Sequence, residues 1–202
     1  MTRTWYAFDI DGTLACTREV MRAALAQRVG LPLNHLQDGG MYETFGFTLG
    51  SDFMDQQLIE VALDTWRSVA HLALPLPGAL ETVNRVASTG RLLGYVTRRD
   101  PQMTALTRAW LHEHGFPVST TLLRHMPDNH ACKSVQALAL ALTYRTGGPE
   151  WLSDIVLVED SGREALSAAR NGLRVALLDQ PHNHRLTHPL ITRYESLLDL
   201  PA

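Results

Sequence analysis

The chain has 202 residues, and 18 basic against 21 acidic side chains give a formal net charge of −3 with histidine neutral. This charge does not favour nucleic acid or an anionic membrane, and 45% hydrophobic against 19% charged residues exclude general disorder. Two cysteines cannot form a disulfide framework, the chain does not open with a signal-peptide pattern, and no apolar stretch is long enough to cross a bilayer, so a cytoplasmic protein is expected.

The chain opens with a predicted strand followed by a predicted helix. Residues 4–10 combine aromatic and apolar side chains, which is typical of a buried strand. Residues 17–29 place apolar side chains on one helical face, with Thr17 as the expected N-cap and Gly30 just past the expected end. A helix therefore follows the first strand closely.

Glycine and proline residues divide the next part of the chain. Residues 31–50 show no hydrophobic period and contain four glycines, so we expect a loop there. Ser51 is the expected N-cap of a long amphipathic helix, and Pro75 and Pro77 end this helical block. The sequence thus predicts an all-helical segment between the first strand and residue 78.

Short apolar strands alternate with helices in the remainder of the chain, which is the pattern of parallel βαβ units. The predicted strands cover residues 92–97, 119–124, 154–158 and 173–178, and the predicted helices cover residues 78–88, 101–114, 134–144 and 162–170. This alternation predicts an α/β fold with a doubly wound, Rossmann-like parallel sheet, whose ligands bind at the carboxyl ends of the strands. Residues 1–14 and 78–202 would form this core, and residues 15–77 would form a helical cap over the strand ends.

Polar side chains collect at the predicted strand ends and at the start of one helix. They are Asp9, Asp11, Thr97, Lys133, Glu159 and Asp160. A carboxylate can attack phosphorus only when cations neutralise the repulsion between the two groups, and Mg²⁺ with a lysine would do so. Lys133 is the only lysine in the chain, and Asp9 and Asp160 are oxygen donors of the kind that Mg²⁺ prefers. The set favours phosphoryl transfer.

Four motifs, in this order, resemble those of the haloacid dehalogenase (HAD) superfamily of phosphohydrolases. They are FDIDGTL at 8–14, YVTRR at 95–99, Lys133, and VLVEDSGREAL at 156–166. The resemblance extends over the whole chain and implies a HAD-like three-layer αβα core with a helical cap. It also implies a Mg²⁺-dependent phosphatase in which Asp9 is the nucleophile and Asp11 is the general acid and then the general base.

The same resemblance implies roles for further residues. Thr97 and Lys133 would bind the phosphoryl group and the aspartate, and Gly12 and Thr13 would contribute to substrate binding. Glu164 would belong to the ligand shell of the metal, at a position where the family often has aspartate. The implied metal ligands are Asp9, Asp11, Glu159 and Asp160.

Other residues have two readings from the sequence. Arg98 and Arg99 follow the motif threonine, where a guanidinium could reach a substrate phosphate or form a surface salt bridge. Tyr42 and Phe45 in the glycine-rich segment could contact substrate or fill the core of the cap. The histidines near the end of the chain have no predicted element to fix them as a metal site, so we expect a solvated loop; they are His182, His184 and His188.

A closed chamber under a helical cap favours a small phosphorylated metabolite as substrate. The stretches TRAWLHEHG at 107–115 and LLDQPHN at 177–183 bear a weaker resemblance to the deoxyribonucleotidase-like branch, which implies a nucleoside monophosphate. A phosphomutase of the same superfamily and a non-enzymatic module that binds a phosphorylated ligand are the alternatives. In each case we expect no nucleic acid polymer and no membrane as partner, and a monomer or a homodimer.

Overall fold

A computed structural model describes residues 4–30, 56–119, 122–125, 132–144 and 149–201. Within these ranges six strands form one sheet in the order β3-β2-β1-β4-β5-β6, and every neighbouring pair is parallel. The strands are β1 (Trp5–Phe8), β2 (Leu92–Thr97), β3 (Leu123–His125), β4 (Ile155–Glu159), β5 (Arg174–Leu178) and β6 (Ile191–Tyr194). The doubly wound parallel sheet predicted from the sequence is therefore confirmed.

Helices cover both faces of this sheet. The helices are α1 (Thr17–Val29), α2 (Gln56–Val69), α3 (Ala79–Ser88), α4 (Thr104–Glu113), α5 (Lys133–Tyr144) and α6 (Gly162–Arg170). Short 3₁₀ turns lie at Ala70–Leu72, Pro101–Met103, Pro149–Asp154 and Leu197–Asp199. Apolar side chains of α3 and α4 pack with Phe8 on one face, and those of α5 and α6 pack with Ala7 on the other. Because successive residues of β1 point to opposite faces, one strand serves both cores.

Helices α1 and α2 pack against each other in a third apolar cluster, separate from the two that cover the sheet. Its buried members are Met21, Leu25, Ala26, Ala62, Trp66, Ala70 and Met103. The two chain segments that lead into and out of this helical part are paired, since Cys16 N donates to Leu74 O and Leu76 N donates to Leu14 O, both at 2.8 Å. The predicted loop over residues 31–50 and the predicted cap at Ser51 lie outside the described residues.

The predicted N-cap at Thr17 is wrong. Cys16 occupies the N-cap position without a side-chain hydrogen bond to the helix, and Thr17 is the first helical residue. Its hydroxyl donates to Asp11 Oδ1 at 2.9 Å. Thr17, the first residue of the helix, therefore contacts the segment that follows β1 and does not cap the helix. The predicted end of the helix at Gly30 is confirmed, since Gly30 is the C-cap with a left-handed φ of 69°.

The third strand begins later than the sequence predicted. Instead of residues 119–124, the structure has β3 at Leu123–His125, paired with β2 from Tyr95 onwards. Gly94 has a φ of +138°, and a Cβ there would lie 2.2 Å from the carbonyl oxygen of Leu122. A side chain at position 94 would not fit against this carbonyl, so the chain can approach β2 so closely here only because residue 94 is glycine.

Strand β6 was not predicted, because the segment before it contains two prolines and three histidines and shows no strand pattern. Its side chains are only partly buried, so the sequence carries little alternation there. The expected solvated loop after β5 is correspondingly wrong for His182 and Asn183, whose side chains point into the protein. Among the described helices, none is long and apolar enough to cross a membrane.

Candidate active site

Three acidic side chains meet at the centre of the sheet. Asp9 follows β1, Glu159 ends β4 and Asp160 follows it, and Asp9 N donates to Val158 O at 3.0 Å. One carboxylate oxygen from each acid lies within 4.8 Å of the others, and all three residues are buried. The strand order reverses between β1 and β4, which is where ligands bind in open α/β sheets.

Lys133, the first residue of α5, lies between two of these acids. Its Nζ is 2.6 Å from Asp9 Oδ1 and 2.7 Å from Glu159 Oε2. The other oxygen of Glu159 accepts the backbone N–H groups of Asp160 at 3.2 Å and Ser161 at 3.0 Å. Because both oxygens of Glu159 already have donors, this residue holds the ammonium group against Asp9.

Burial changes the proton affinity of these groups. It raises the pKa of Asp9 to about 8, with repulsion from Glu159 adding to the effect and Lys133 opposing it. Burial also raises the pKa of Glu159 and the pKa of Asp160, and in each case a neighbouring carboxylate adds to it. Burial lowers the pKa of Lys133, but attraction to Asp9 and Glu159 outweighs it and raises that pKa above its usual value. Lys133 therefore stays charged.

Asp160 is fixed by side chains from the first part of the chain. Thr13 Oγ1 lies 3.3 Å from Asp160 Oδ1 and 3.4 Å from Asp9 Oδ2, and Arg18 Nη2 donates to Asp160 Oδ2 at 3.0 Å. Gly12 has a φ of +83°, and a Cβ there would lie 2.4 Å from Asp160 Oδ2. Gly12 and Thr13, predicted as substrate-binding residues, thus shape the space around Asp160.

The backbone of Asp160 is held by Asn183, for which the sequence predicted no role, and contacted by His182, which was expected to lie in a solvated loop. Asn183 is buried, and its Nδ2 donates to Asp160 O at 2.7 Å and to Leu178 O at 2.8 Å. Arg193 Nη2 in turn donates to Asn183 Oδ1 at 2.8 Å, and His182 Nε2 lies 3.2 Å from Asp160 O. The segment between β5 and β6 therefore fixes the backbone of the candidate site at Asp160.

Asp11 is turned toward a different partner. Arg99, which is fully buried, donates from Nε to Asp11 Oδ2 at 3.0 Å and from Nη2 to Oδ1 at 2.8 Å. Thr97 is also buried at the end of β2, and its hydroxyl oxygen accepts the backbone N–H of Arg99 at 3.1 Å. The structure does not bring Asp11 into the cluster of Asp9, Glu159 and Asp160. The Arg99 ion pair lies in the interior, not at the surface.

Arg98 makes an ion pair with Glu164. Its Nε donates to Glu164 Oε1 at 2.8 Å, and both side chains are largely buried. Among the described residues, the buried Oε2 of Glu164 has no hydrogen-bond partner. Tyr42 and Phe45 lie outside the described residues.

The residues at the strand ends fit a magnesium ion. Asp9, Glu159 and Asp160 offer only oxygen donors, and when ionised they carry three negative charges against the two positive charges of Lys133 and Arg18. The two oxygens of Glu159 accept three donors, whereas within the part of the chain that the structure describes Asp9 Oδ2 and Asp160 Oδ1 have only the 3.4 and 3.3 Å contacts of Thr13, so these two oxygens are the best placed to bind the ion.

Two known proteins are similar to this chain in sequence. A protein of Oceanobacillus iheyensis that carries the name "Putative nucleotidase" is 30% identical over 142 residues, which is 67% of this chain and 72% of the relative. A Bacillus cereus protein with the same name is 32% identical over 120 residues, 56% of this chain and 60% of that relative. No protein-family model matches the chain.

The fold has close structural counterparts. A HAD hydrolase of family IA, variant 3, from Entamoeba histolytica superposes with a TM-score of 0.68 at 12% identity, covering 98% of this chain and 95% of that one. With the sequence relatives, the sheet order and the motif residues at the strand ends, this shows that the chain belongs to the haloacid dehalogenase superfamily of hydrolases.

The raised pKa values make the stability of the metal-free protein depend on pH. Asp9 titrates near 3.8 in an unfolded chain and at about 8 when buried, so the folded state binds more protons across this window. Stability from this cluster is therefore present at low pH and lost as the pH rises.

The dependence can be tested by urea unfolding in chelator. The free energy of unfolding should decline less with rising pH for Asp160→Asn than for the wild type, because the amide removes one repelling charge. An Asp64→Asn control, at an exposed position, should keep the wild-type dependence. Identical pH profiles for the wild type and Asp160→Asn would contradict the prediction.

Proposed function

We propose that the protein is a Mg²⁺-dependent phosphatase that hydrolyses a small phosphate monoester by way of a phosphoryl group on Asp9. The observation that carries the proposal is the buried Asp9 carboxylate with Lys133 Nζ 2.6 Å away, beside two further carboxylates. An ammonium group at this distance offsets the repulsion between a carboxylate nucleophile and a phosphate. The names of the two relatives support a nucleoside monophosphate as the substrate.

The reaction would proceed in two displacements at phosphorus. In the first, an oxygen of Asp9 bonds to phosphorus, the bond from phosphorus to the leaving oxygen breaks, and that oxygen takes a proton from Asp11. In the second, Asp11 takes a proton from water as the water oxygen bonds to phosphorus, and the bond from phosphorus to Asp9 breaks. Inorganic phosphate and the free alcohol are the products, and Asp9 and Asp11 return to their starting states.

Neighbouring groups would stabilise the negative charge that moves onto the phosphoryl oxygens. Lys133 already contacts Asp9 and has further N–H donors for a phosphoryl oxygen. The hydroxyl oxygen of Thr97 accepts the N–H of Arg99, which leaves the hydroxyl proton to donate to a second phosphoryl oxygen. These donors are fixed before substrate arrives, so little reorganisation is required during the reaction.

Asp9 and Asp160 would hold the magnesium ion, and Glu159 would support them through Lys133. When bound, the ion supplies positive charge that stabilises the phosphoryl group. Thr13 keeps the two ligand carboxylates at a fixed spacing, and the backbone contacts of Asn183 fix the position of Asp160. The chain thus builds the site before any ion enters it.

We further propose that residues 15–77 form a cap over this site. The cluster of α1 and α2 is separate from the cores on the sheet, and the paired segments around Leu14 and Leu74 join it to the rest of the protein. A cap limits the size of the substrate and excludes water from the phosphoryl group. This favours a small metabolite over a polymer.

The nucleophile can be tested by one substitution. Asp9→Asn should abolish hydrolysis of p-nitrophenyl phosphate and of nucleoside monophosphates, because the amide occupies the same space but is a poor nucleophile. Excess chelator should abolish the wild-type activity, and added Mg²⁺ should restore it. Asp64→Asn, a matched change in an exposed ion pair, should retain full activity. Undiminished phosphate release in chelator, or by Asp9→Asn, would contradict the proposal.

Lys133→Arg should also impair catalysis, although the substitution keeps the charge. The ammonium fits between Asp9 and Glu159 at 2.6 and 2.7 Å in a fully buried space, and a planar guanidinium is larger and differs in shape. We expect turnover to fall by roughly 10² to 10³, the usual loss for a preorganised donor. Initial rates at saturating substrate measure the effect, with Arg28→Lys in an exposed ion pair as the control. Near wild-type turnover would remove Lys133 from the reaction.

A further inference from the structure

Arg99 has no part in the proposed reaction so far, yet it is one of the largest fully buried side chains of the protein. A buried guanidinium is costly unless its charge is paired. Arg99 forms a bidentate ion pair with Asp11, in which Nε donates to Oδ2 at 3.0 Å and Nη2 donates to Oδ1 at 2.8 Å. The sequence separation is 88 residues, so the fold rather than local geometry creates this pair.

Arg99 is itself held in place on several sides. Its backbone N–H donates to Thr97 Oγ1, its Nη2 lies 3.4 Å from Ala70 O, and its guanidinium carbon lies 5.8 Å from the centre of the Trp110 ring. Trp110 Nε1 donates in turn to Ala73 O at 2.6 Å. The segment that follows α2 therefore fixes the guanidinium, and the guanidinium fixes Asp11.

The two oxygens of Asp11 are not equivalent. Oδ1 accepts from Arg99 Nη2 and from the Thr17 hydroxyl, with Arg99 Nε a further 3.2 Å contact. Oδ2 has only the Arg99 Nε contact among the described residues. A carboxylate oxygen has two lone-pair positions, so Oδ2 keeps one for a proton whereas Oδ1 is crowded by donors.

We propose that Arg99 is a positioning residue that sets the plane of the Asp11 carboxylate and presents Oδ2 as the oxygen that transfers the proton. The proposal rests on the proposed function, which gives Asp11 its role as acid and base. A bidentate guanidinium fixes the plane of a carboxylate, whereas a lysine ammonium binds it as a point charge and leaves it free to turn. Arg99→Lys thus keeps the charge and removes the orientation.

The test is a double-mutant cycle read with two substrates. Wild type, Arg99→Lys, Asp11→Asn and the double variant are compared by single-turnover release of the leaving group, which reports the first displacement alone. The two substrates are an alkyl phosphate, whose leaving group needs a proton, and p-nitrophenyl phosphate, whose leaving group does not. We expect Arg99→Lys to slow the alkyl ester by roughly 10², the cost of a misplaced catalytic group, and to leave the aryl ester within about twofold. In the Asp11→Asn background the same substitution should have no further effect on the alkyl ester.

Arg67→Lys is the matched control. Arg67 pairs with Asp100, the residue that follows Arg99 in sequence, and this ion pair is more exposed than that of Arg99. Arg67→Lys should leave both rates unchanged. Equal losses on the two esters, or the same loss in both backgrounds, would show that Arg99 only stabilises the fold and would overturn the proposal. A wild-type protein that hydrolyses neither ester would reject the proposed function itself, which is a different outcome. Thermal unfolding of the four proteins shows whether each variant is folded during the assays.

Discussion

A single ammonium group between two buried carboxylates is the interaction on which the site depends. Without Lys133, the acids Asp9, Glu159 and Asp160 would be crowded within 4.8 Å in the interior with no lysine to offset their repulsion. Burying a charge without a partner costs several kcal/mol, so removal of the lysine would favour protonated acids over ionised ones. The contact that offsets the repulsion among the buried carboxylates also keeps Asp9 next to a cation. A carboxylate needs such a cation in order to approach a phosphate.

The sheet topology delivers these groups to one point. Asp9 and Glu159 lie at the ends of adjacent central strands, and Lys133 begins the helix that packs behind them. A second set of contacts ties the site to other parts of the chain. Arg18 of α1 pairs with Asp160, and Arg99, which follows β2, pairs with Asp11. Asp11 of the first motif and Asp160 of the fourth are thus each held by an arginine from another part of the chain. The positions of Asp11 and Asp160 therefore depend on how α1 and the segment after α2 pack against the sheet.

The sheet and the motif residues could be predicted because their signals are local. A run of apolar residues followed by Asp9 or Glu159 identifies a strand end, and parallel strands place such ends at one edge. Arg18 and Asn183 could not be predicted, because they reach Asp160 across 142 and 23 residues and each looks like an ordinary polar residue. Thr17 was misread for a similar reason, since its position suits a helix cap while its actual partner is Asp11.

The central claim is that Asp9 carries the phosphoryl group during turnover. The most direct test is to quench the wild-type protein with acid during hydrolysis of a phosphate ester and to locate any added phosphoryl group by peptide mass spectrometry, with Asp9→Asn as the control. The account predicts a phosphoryl group on the peptide that contains Asp9, at Asp9 itself, and none in the variant. A phosphoryl group on His182 or on another residue, or steady turnover with no protein-bound phosphoryl group at any quench time, would contradict it.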